Sequence, residues 1–361
     1  MRVAIITDQH FGARNDSLNF INFYEKFYRE TFFPKLKEEN IKTLLILGDT
    51  FDRRKYVNFY SLKRSKEMFF DVLQQMDIKV YMLAGNHDTY YKNTNDVNSV
   101  DLLLREYDNI EVIDSPKTIR LEEDNSGTDI CMVPWISTDN YEYSLEYMKN
   151  DKSDICMGHF EIQGFAMYQG HQSQEGLART IFNKFDLVFS GHYHHRSSDS
   201  GIHYLGNPYE LTWSDYNDAR GFHLFDTDTR ELEFVKNPNS IFFKINYDDK
   251  VTDAVNTISK IDLSQYKDTF VKVIVVNKIN TYLFDLFMNN LYKVSPIDVS
   301  IIEDVIDLTE STDTDIISEA EDTLSILNKC VDGLQTENID ANKLKNILKE
   351  LYIEALNLEN V

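Results

Sequence analysis

The sequence predicts a layered α/β fold for this chain of 361 residues. Three observations carry the prediction. Short apolar runs alternate with longer amphipathic stretches from residue 1 to about 235. The later part of that span is richer in short β-prone runs than in helical ones. Polar residues of metal-binding type stand where several of these runs stop, the edge of an α/β sheet at which sites form.

The first strand is "RVAIIT", followed by "LNFINFYEKFYRETFFPKLKEE", whose apolar residues recur at helical spacing. "TLLILG" then precedes the helix-like "YSLKRSKEMFFDVLQQM", and "KVYMLAG" precedes "VNSVDLLLREY". "DICMVPW", "DICMGHF", "DLVFSGH", "IHYLGNP" and "GFHLFD" follow as strands, completing a first domain over residues 1–237. Residues 238–310 read as a small α/β unit, with strands "IFFKIN" and "FVKVIVV" and the helix "NTYLFDLFMNNLYK". Past the acidic "DLTESTDTD", residues 311–361 read as a helix pair. Ile316, Ala320, Leu324 and Leu327 form one apolar stripe, and Leu344, Ile347, Leu348, Leu351 and Ala355 another.

Composition narrows the function classes. A hydrophobic share of 42% and a charged share of 27% are ordinary for a globular protein. "MRVAIITDQH" lacks a secretory pattern, and no apolar run has bilayer-spanning length, so a cytoplasmic location and no membrane contact are expected. Cys131, Cys156 and Cys330 are widely spaced and are expected to be reduced, buried thiols. The net charge of −23 argues against a free-standing nucleic-acid-binding surface, because phosphate recognition draws its affinity from basic side chains. It leaves room for a metal-dependent enzyme acting on phosphates.

The run ends supply the chemistry. "AIITDQH" ends in Asp8 and His10, "LLILGDTFD" carries Asp49, and "MLAGNHD" brings Asn86, His87 and Asp88. "ICMGHF" brings His159, and "LVFSGHYH" brings His192 and His194, so five of the nine histidines sit at these ends. Imidazole together with carboxylate suits manganese, zinc or iron. Two ions about 3.5–4 Å apart can clamp a phosphoryl group for in-line displacement. The i, i+2 spacing of Asp8 and His10, and of His192 and His194, points both side chains of each pair the same way on an extended chain.

The ordered series D-x-H, G-D, G-N-H-D, G-H and G-H-x-H resembles the calcineurin-like metallophosphoesterases over residues 1 to about 225. Within it, "TDQHFGA", "LILGDTFDRRK", "LAGNHD" and "YLGNPYELTW" resemble the SbcD (Mre-eleven) nuclease subunits of break-processing complexes, in a short bacteriophage recombination-endonuclease version. The resemblance implies a layered β-sandwich domain flanked by helices, a capping domain, and C-terminal helices that bind a coiled-coil ABC-type ATPase. It implies a homodimer acting on DNA as an exonuclease and endonuclease with two Mn2+, Mg2+ or another divalent ion being the alternative. One ion would be held by Asp8, His10, Asp49 and His194, the other by Asp49, Asn86, His159 and His192, with Asp49 bridging. His87 would contact the scissile phosphate and assist the leaving oxygen, and Asp88 would orient it.

The position three residues after Asp49, a histidine in some relatives, is Asp52 here, and it is expected to pair with nearby arginines. His195 reads as a bystander, and His171, His203 and His223 as surface or sheet residues. "RRK" at 53–55 is either a phosphate contact or a solvated loop, and "GNPYELTW" either a turn or a DNA-contacting loop. The alternative function is a phosphoesterase acting on a small phosphodiester or a phosphoprotein. A non-catalytic scaffold would be expected to lack ligands, and all seven are present.

Overall fold

The structure, a computed structural model, describes residues 1–303 except 124–125, 169–170, 174–175, 251–257 and 259–260, and beyond them Leu344 and Ile347. For 123, 126, 166–168 and 171–172 only the backbone is described, so the side chain of His171 lies outside it. So do Cys330 and, apart from Leu344 and Ile347, the helix pair expected within 311–361. Residues Met1–Glu303 form one compact unit.

The first four strands are β1 (Arg2–Ile6), β2 (Thr43–Ile46), β3 (Lys79–Leu83) and β4 (Ile110–Ile113). Next come β5 (Lys117–Glu123), β6 (Ser126–Val133), β7 (Ile155–His159) and the short pair β8 (Ala166–Tyr168) and β9 (His171–Gln172). The strands β10 (Leu187–Gly191), β11 (Ser197–Asp199), β12 (Ile202–Tyr204), β13 (Gly221–Asp226) and β14 (Leu232–Lys236) complete two six-stranded sheets. One sheet has the order β14-β13-β1-β2-β3-β4, the other β11-β12-β10-β7-β6-β5. In the first, β1 to β4 run parallel while β13 and β14 are antiparallel additions. In the second, β6, β7, β10 and β12 run parallel.

Strict alternation along these strands builds the layers. Val3, Ile5, Leu45 and Leu47 face inward and pack with Ile130, Met132, Ile155, Met157 and Phe189 of the second sheet. Ala4, Ile6, Leu44 and Ile46 point the other way, onto Phe20, Tyr24, Phe27, Phe32, Phe69 and Phe70 of the flanking helices. Cys131, Val133, Cys156 and Val188 form the outer face of the second sheet, covered in part by Met148. The parallel strands β1, β2, β7 and β10 are buried on both faces, which is why they read as continuous apolar runs. Cys131 and Cys156 are free and buried, as expected.

The two long amphipathic stretches are helical, each interrupted by one π turn. The first runs Leu18–Phe27, Tyr28–Phe32, Phe33–Glu38, and the second Phe59–Ser65, Lys66–Phe70, Asp71–Gln75. Both π turns carry the large aromatics of the core, Tyr28 and Phe32 in one and Phe69 and Phe70 in the other.

A third, all-parallel sheet contains β15 (Phe242–Asp248), β16 (Phe270–Asn277) and β17 (Asp298–Ile302). Its helix spans Thr281–Lys293, with the Asn280 side chain accepting from the Tyr282 and Leu283 amides as N-cap. Val271, Val273, Phe284, Phe287 and Leu291 give this unit a core of its own. Trp213 packs against Phe242 with ring centroids 4.7 Å apart, joining the unit to the first sheet's helical face.

"GNPYELTW" braces this junction. Asn207, Tyr209 and Glu210 are buried, which fits the turn reading of this stretch. Glu210 Oε2 accepts from the amides of Ile241 (2.7 Å) and Phe242 (3.0 Å) at the start of β15. Burial pushes its carboxyl up to about 7, the two amide bonds offsetting only part of that cost. Because the folded value lies above the free value of 4.5, the stabilisation is complete below pH 4.5 and is lost as pH rises to about 7. Glu210→Gln, uncharged at every pH, is therefore expected to melt higher than wild type at pH 8 and equally at pH 4.5. The gain has an upper bound on the order of 3 kcal/mol. An equal loss at both pH values in thermal melts would show that the carboxylate binds the amides in its charged form.

Candidate metal centre

The loops after the parallel strands of both sheets converge at one edge of the sandwich. β1 leads to Asp8 and His10, β2 to Asp49, and β3 to Asn86, His87 and Asp88. From the second sheet, β7 ends in His159 and β10 leads to His192 and His194. All nine expected site residues are brought to this edge.

The turns are tight and strained. Asp8, His10, Asp49 and His192 all have positive φ, at 52°, 47°, 50° and 85°. Such conformations cost free energy in residues other than glycine and persist where the surroundings fix them. Gly48 has φ 97°, and a Cβ there would lie 2.5 Å from His159 Nδ1. A Cβ on Gly85 would collide with the Asp49 backbone nitrogen and Oδ1. These two glycines let the loops approach closely enough for their side chains to share a centre. Gln9, between Asp8 and His10, donates to Tyr28 Oη (2.7 Å), and its carbonyl accepts from Tyr209 Oη (2.6 Å).

Two ligand clusters result. In the first, Asp8, His10 and His194 offer ligand atoms within 4.8 Å of one another. In the second, Asp49, His159 and His192 do the same, and Asn86 Oδ1 lies 2.9 Å from His159 Nε2 and 3.0 Å from His192 Nδ1. Asp49 Oδ2 stands between the clusters, 3.9 Å from His10 Nε2 and 3.3 Å from His159 Nε2. Its other oxygen accepts from the His87 amide at 2.8 Å.

The electrostatics fit cations. Asp8 and Asp49 are 0% and 1% exposed. Burial would lower the pKa of His10, but its bond to Asp52 and the charges of Asp49, Asp52 and Asp8 lift it to about 10. Burial likewise opposes His159, which Asp49 and Asp8 raise to about 9. A field that favours positive imidazolium so strongly also favours divalent ions in its place, with loss of the ring protons. Burial and the His159 charge push His192 down to about 3, and burial with the His10 charge holds His194 well below its ordinary value. Both are therefore neutral and ready to donate lone pairs. His159 Nδ1 lies 2.7 Å from the Leu47 carbonyl, an arrangement that leaves Nε2 facing the cluster.

Three expectations change. Asp88 does not reach the His87 ring. It accepts from the amides of Thr50 (3.2 Å), Phe51 (3.0 Å) and Gly85 (3.0 Å), tying the Asp49 loop to the His87 loop. The His87 ring is held instead by the Asp52 carbonyl, 2.6 Å from Nδ1. Asp52 does not pair with arginine as expected: its carboxylate faces His10 Nδ1 at 3.4 Å, while Arg53 pairs with Asp16 at 3.0 Å. A third group of ligand-type atoms, His10, Asp52 and His87, follows from this and was missed by motif reading. His195 is a brace, bonded to Asp218 at 2.7 Å, and Arg220 joins that carboxylate to the His194 carbonyl. His203 lies in β12 and the buried His223 in β13, both sheet residues as expected.

Residues 1–196, which contain every one of these candidate ligands, match the calcineurin-like phosphoesterases. The chain belongs to that family. It is 29% identical to exonuclease subunit 1 of Enterobacteria phage T4 over 98% of this chain and 99% of that one. The SbcD component of the SbcCD nuclease of Staphylococcus epidermidis is 22% identical, over 64% of this chain and 67% of its own. Among solved structures, a dimetal phosphatase from Danio rerio is a distant likeness. It is 11% identical with a TM-score of 0.37, covering 62% of this chain and 91% of that one. As a member of this family the phosphoesterase uses divalent metal, and the two clusters are its candidate ligands.

Asp88→Ala is expected to destabilise the phosphoesterase by about 3 kcal/mol or more, because three buried amides lose their acceptor. Denaturant unfolding in a chelator reads that effect separately from metal binding. A loss below about 1 kcal/mol would show that water replaces the carboxylate.

Proposed function

We propose that this phosphoesterase is a manganese-dependent DNA nuclease, an exonuclease with endonuclease activity, working as a subunit of a recombination and break-processing complex. The observation that carries the reading is the pair of ligand clusters with Asp49 Oδ2 between them. Near end-to-end alignment with a phage exonuclease subunit supports the choice of DNA as substrate.

On this reading Asp8, His10, Asp49 and His194 would hold one ion, and Asp49, Asn86, His159 and His192 the other. Ions held there would supply Lewis acidity toward phosphoryl oxygen and water near neutral pH. His87 does the chain's own proton work. With Nδ1 directed at the Asp52 carbonyl, Nε2 is the atom left to hold a proton for the departing oxygen. Asp52 positions two rings at once, His87 through its carbonyl and His10 through its carboxylate. Asp88 acts on His87 only through the loop backbone.

The remaining assignments belong to the same proposal. Residues 1–237 form the nuclease domain and 238–310 a capping domain. Residues 311–361 dock on a coiled-coil ABC-type ATPase, and the chain works as a homodimer in the host-cell cytoplasm. Among the described residues, no helix is long and apolar enough to cross a membrane.

End-labelled linear DNA incubated with the purified chain and Mn2+ tests the reading. Wild type is expected to release label, chelator to abolish release, and Asp49→Ala and His87→Ser each to lower it at least a hundredfold. Cleavage of a small phosphodiester without cleavage of DNA, even with the partner ATPase added, would favour the small-substrate alternative.

A further inference from the structure

One aromatic side chain stands beside the centre with no part in the chemistry above. Trp135 follows β6, and its indole lies 5.2 Å from the His192 ring at an interplanar angle of 40°. It lies 6.1 Å from the His159 ring, so it borders the cluster formed by Asp49, Asn86, His159 and His192.

Its backbone is fixed on three sides. The Trp135 amide donates to the Ala84 carbonyl (2.9 Å), at the end of β3. The Trp135 carbonyl accepts from Asn95 Nδ2 (2.8 Å) and Asn140 Nδ2 (3.1 Å). The loop bearing Asn95 is joined to the Trp135 loop again, through the Asp139 amide and the Asn93 carbonyl at 3.0 Å. Val133 and Pro134 just before it are buried, but the indole is partly open. A tryptophan that only filled space would gain more from complete burial. A rigid, part-open ring beside a phosphate-handling centre is suited instead to stacking, which accepts any base because every base has a π face.

We infer that Trp135 is the platform on which the nucleobase next to the scissile phosphate stacks. This rests on the nuclease reading above and adds a substrate preference to it: the enzyme grips a nucleotide by its base as well as its phosphate. The stacked base must leave its own helix or already be unpaired, so frayed and single-stranded ends are the better substrates.

The test compares wild type, Trp135→Leu and Trp135→Tyr on three substrates with Mn2+. These are a single-stranded oligonucleotide, the same oligonucleotide made abasic at both terminal residues, and methyl 4-nitrophenyl phosphate. Trp135→Leu is expected to lower the preference for the oligonucleotide over the small diester about tenfold, chiefly through KM. Abasic ends should cause a similar fall in wild type and little further fall in Trp135→Leu, while Trp135→Tyr, still able to stack, keeps most of the preference. Equal losses on all three substrates would overturn the inference and leave Trp135 as a brace for His192. So would additive losses from the abasic ends and the Leu variant, or an unaltered preference in that variant. Wild type that hydrolyses the small diester but no oligonucleotide sinks the nuclease reading and this inference with it, a pattern distinct from the others because it needs no variant.

Discussion

Two carboxylates, Asp8 and Asp49, are buried where loops from both sheets meet, and their need for positive charge constrains everything around them. Burying an ionised carboxylate without a partner is costly, and bare desolvation would protonate it. Here imidazole rings surround the pair: against the cost of burial the His159 charge holds Asp49 well below its ordinary value, while burial leaves Asp8 raised. Two of the rings are in turn held well above their ordinary pKa, His10 by Asp52 together with Asp49 and Asp8, and His159 by Asp49 and Asp8. The strained turns at Asp8, His10, Asp49 and His192 follow from the same demand, since each places its side chain at the shared centre. The bonds of Asp88 to three amides and of Gln9 to two tyrosines hold those turns.

The convergence of the expected site residues on one edge was readable in the sequence because it depends on local rules. An apolar run ending in Asp-x-His or Gly-His fixes both the strand and the place where it stops. Parallel strands then deliver those ends to one edge. What was not readable depends on contacts between distant segments. Asp88 stands next to His87 in sequence, yet its partners are amides at 50 and 51 on another loop. The carboxylate of Asp52 turns to His10, and nothing in the local pattern favours that ring over the neighbouring arginines. Trp135 follows an ordinary strand, so no spacing rule marked it. The π turns within the two long helices were also invisible, since helical periodicity barely changes across a single wide turn.

The acidity of the chain bears on how a polyanion could be handled. With a net charge of −23, long-range attraction to DNA cannot come from the protein as a whole. Of the basic trio after Asp52, Arg53 is engaged with Asp16 and Asn15 and lies over the Tyr56 ring. Arg54 reaches Thr89, on the loop of His87, at 3.3 Å. Affinity would then have to be concentrated at the centre, where cations held by the two clusters would meet phosphate.

Asp49 is proposed to join two ions, and electron paramagnetic resonance of the chain titrated with Mn2+ tests that directly. Two manganese ions per chain with the spectrum of an exchange-coupled pair are expected, with loss of that coupling in Asp49→Ala. A single ion per chain, or two ions with independent spectra in the wild type, would contradict it.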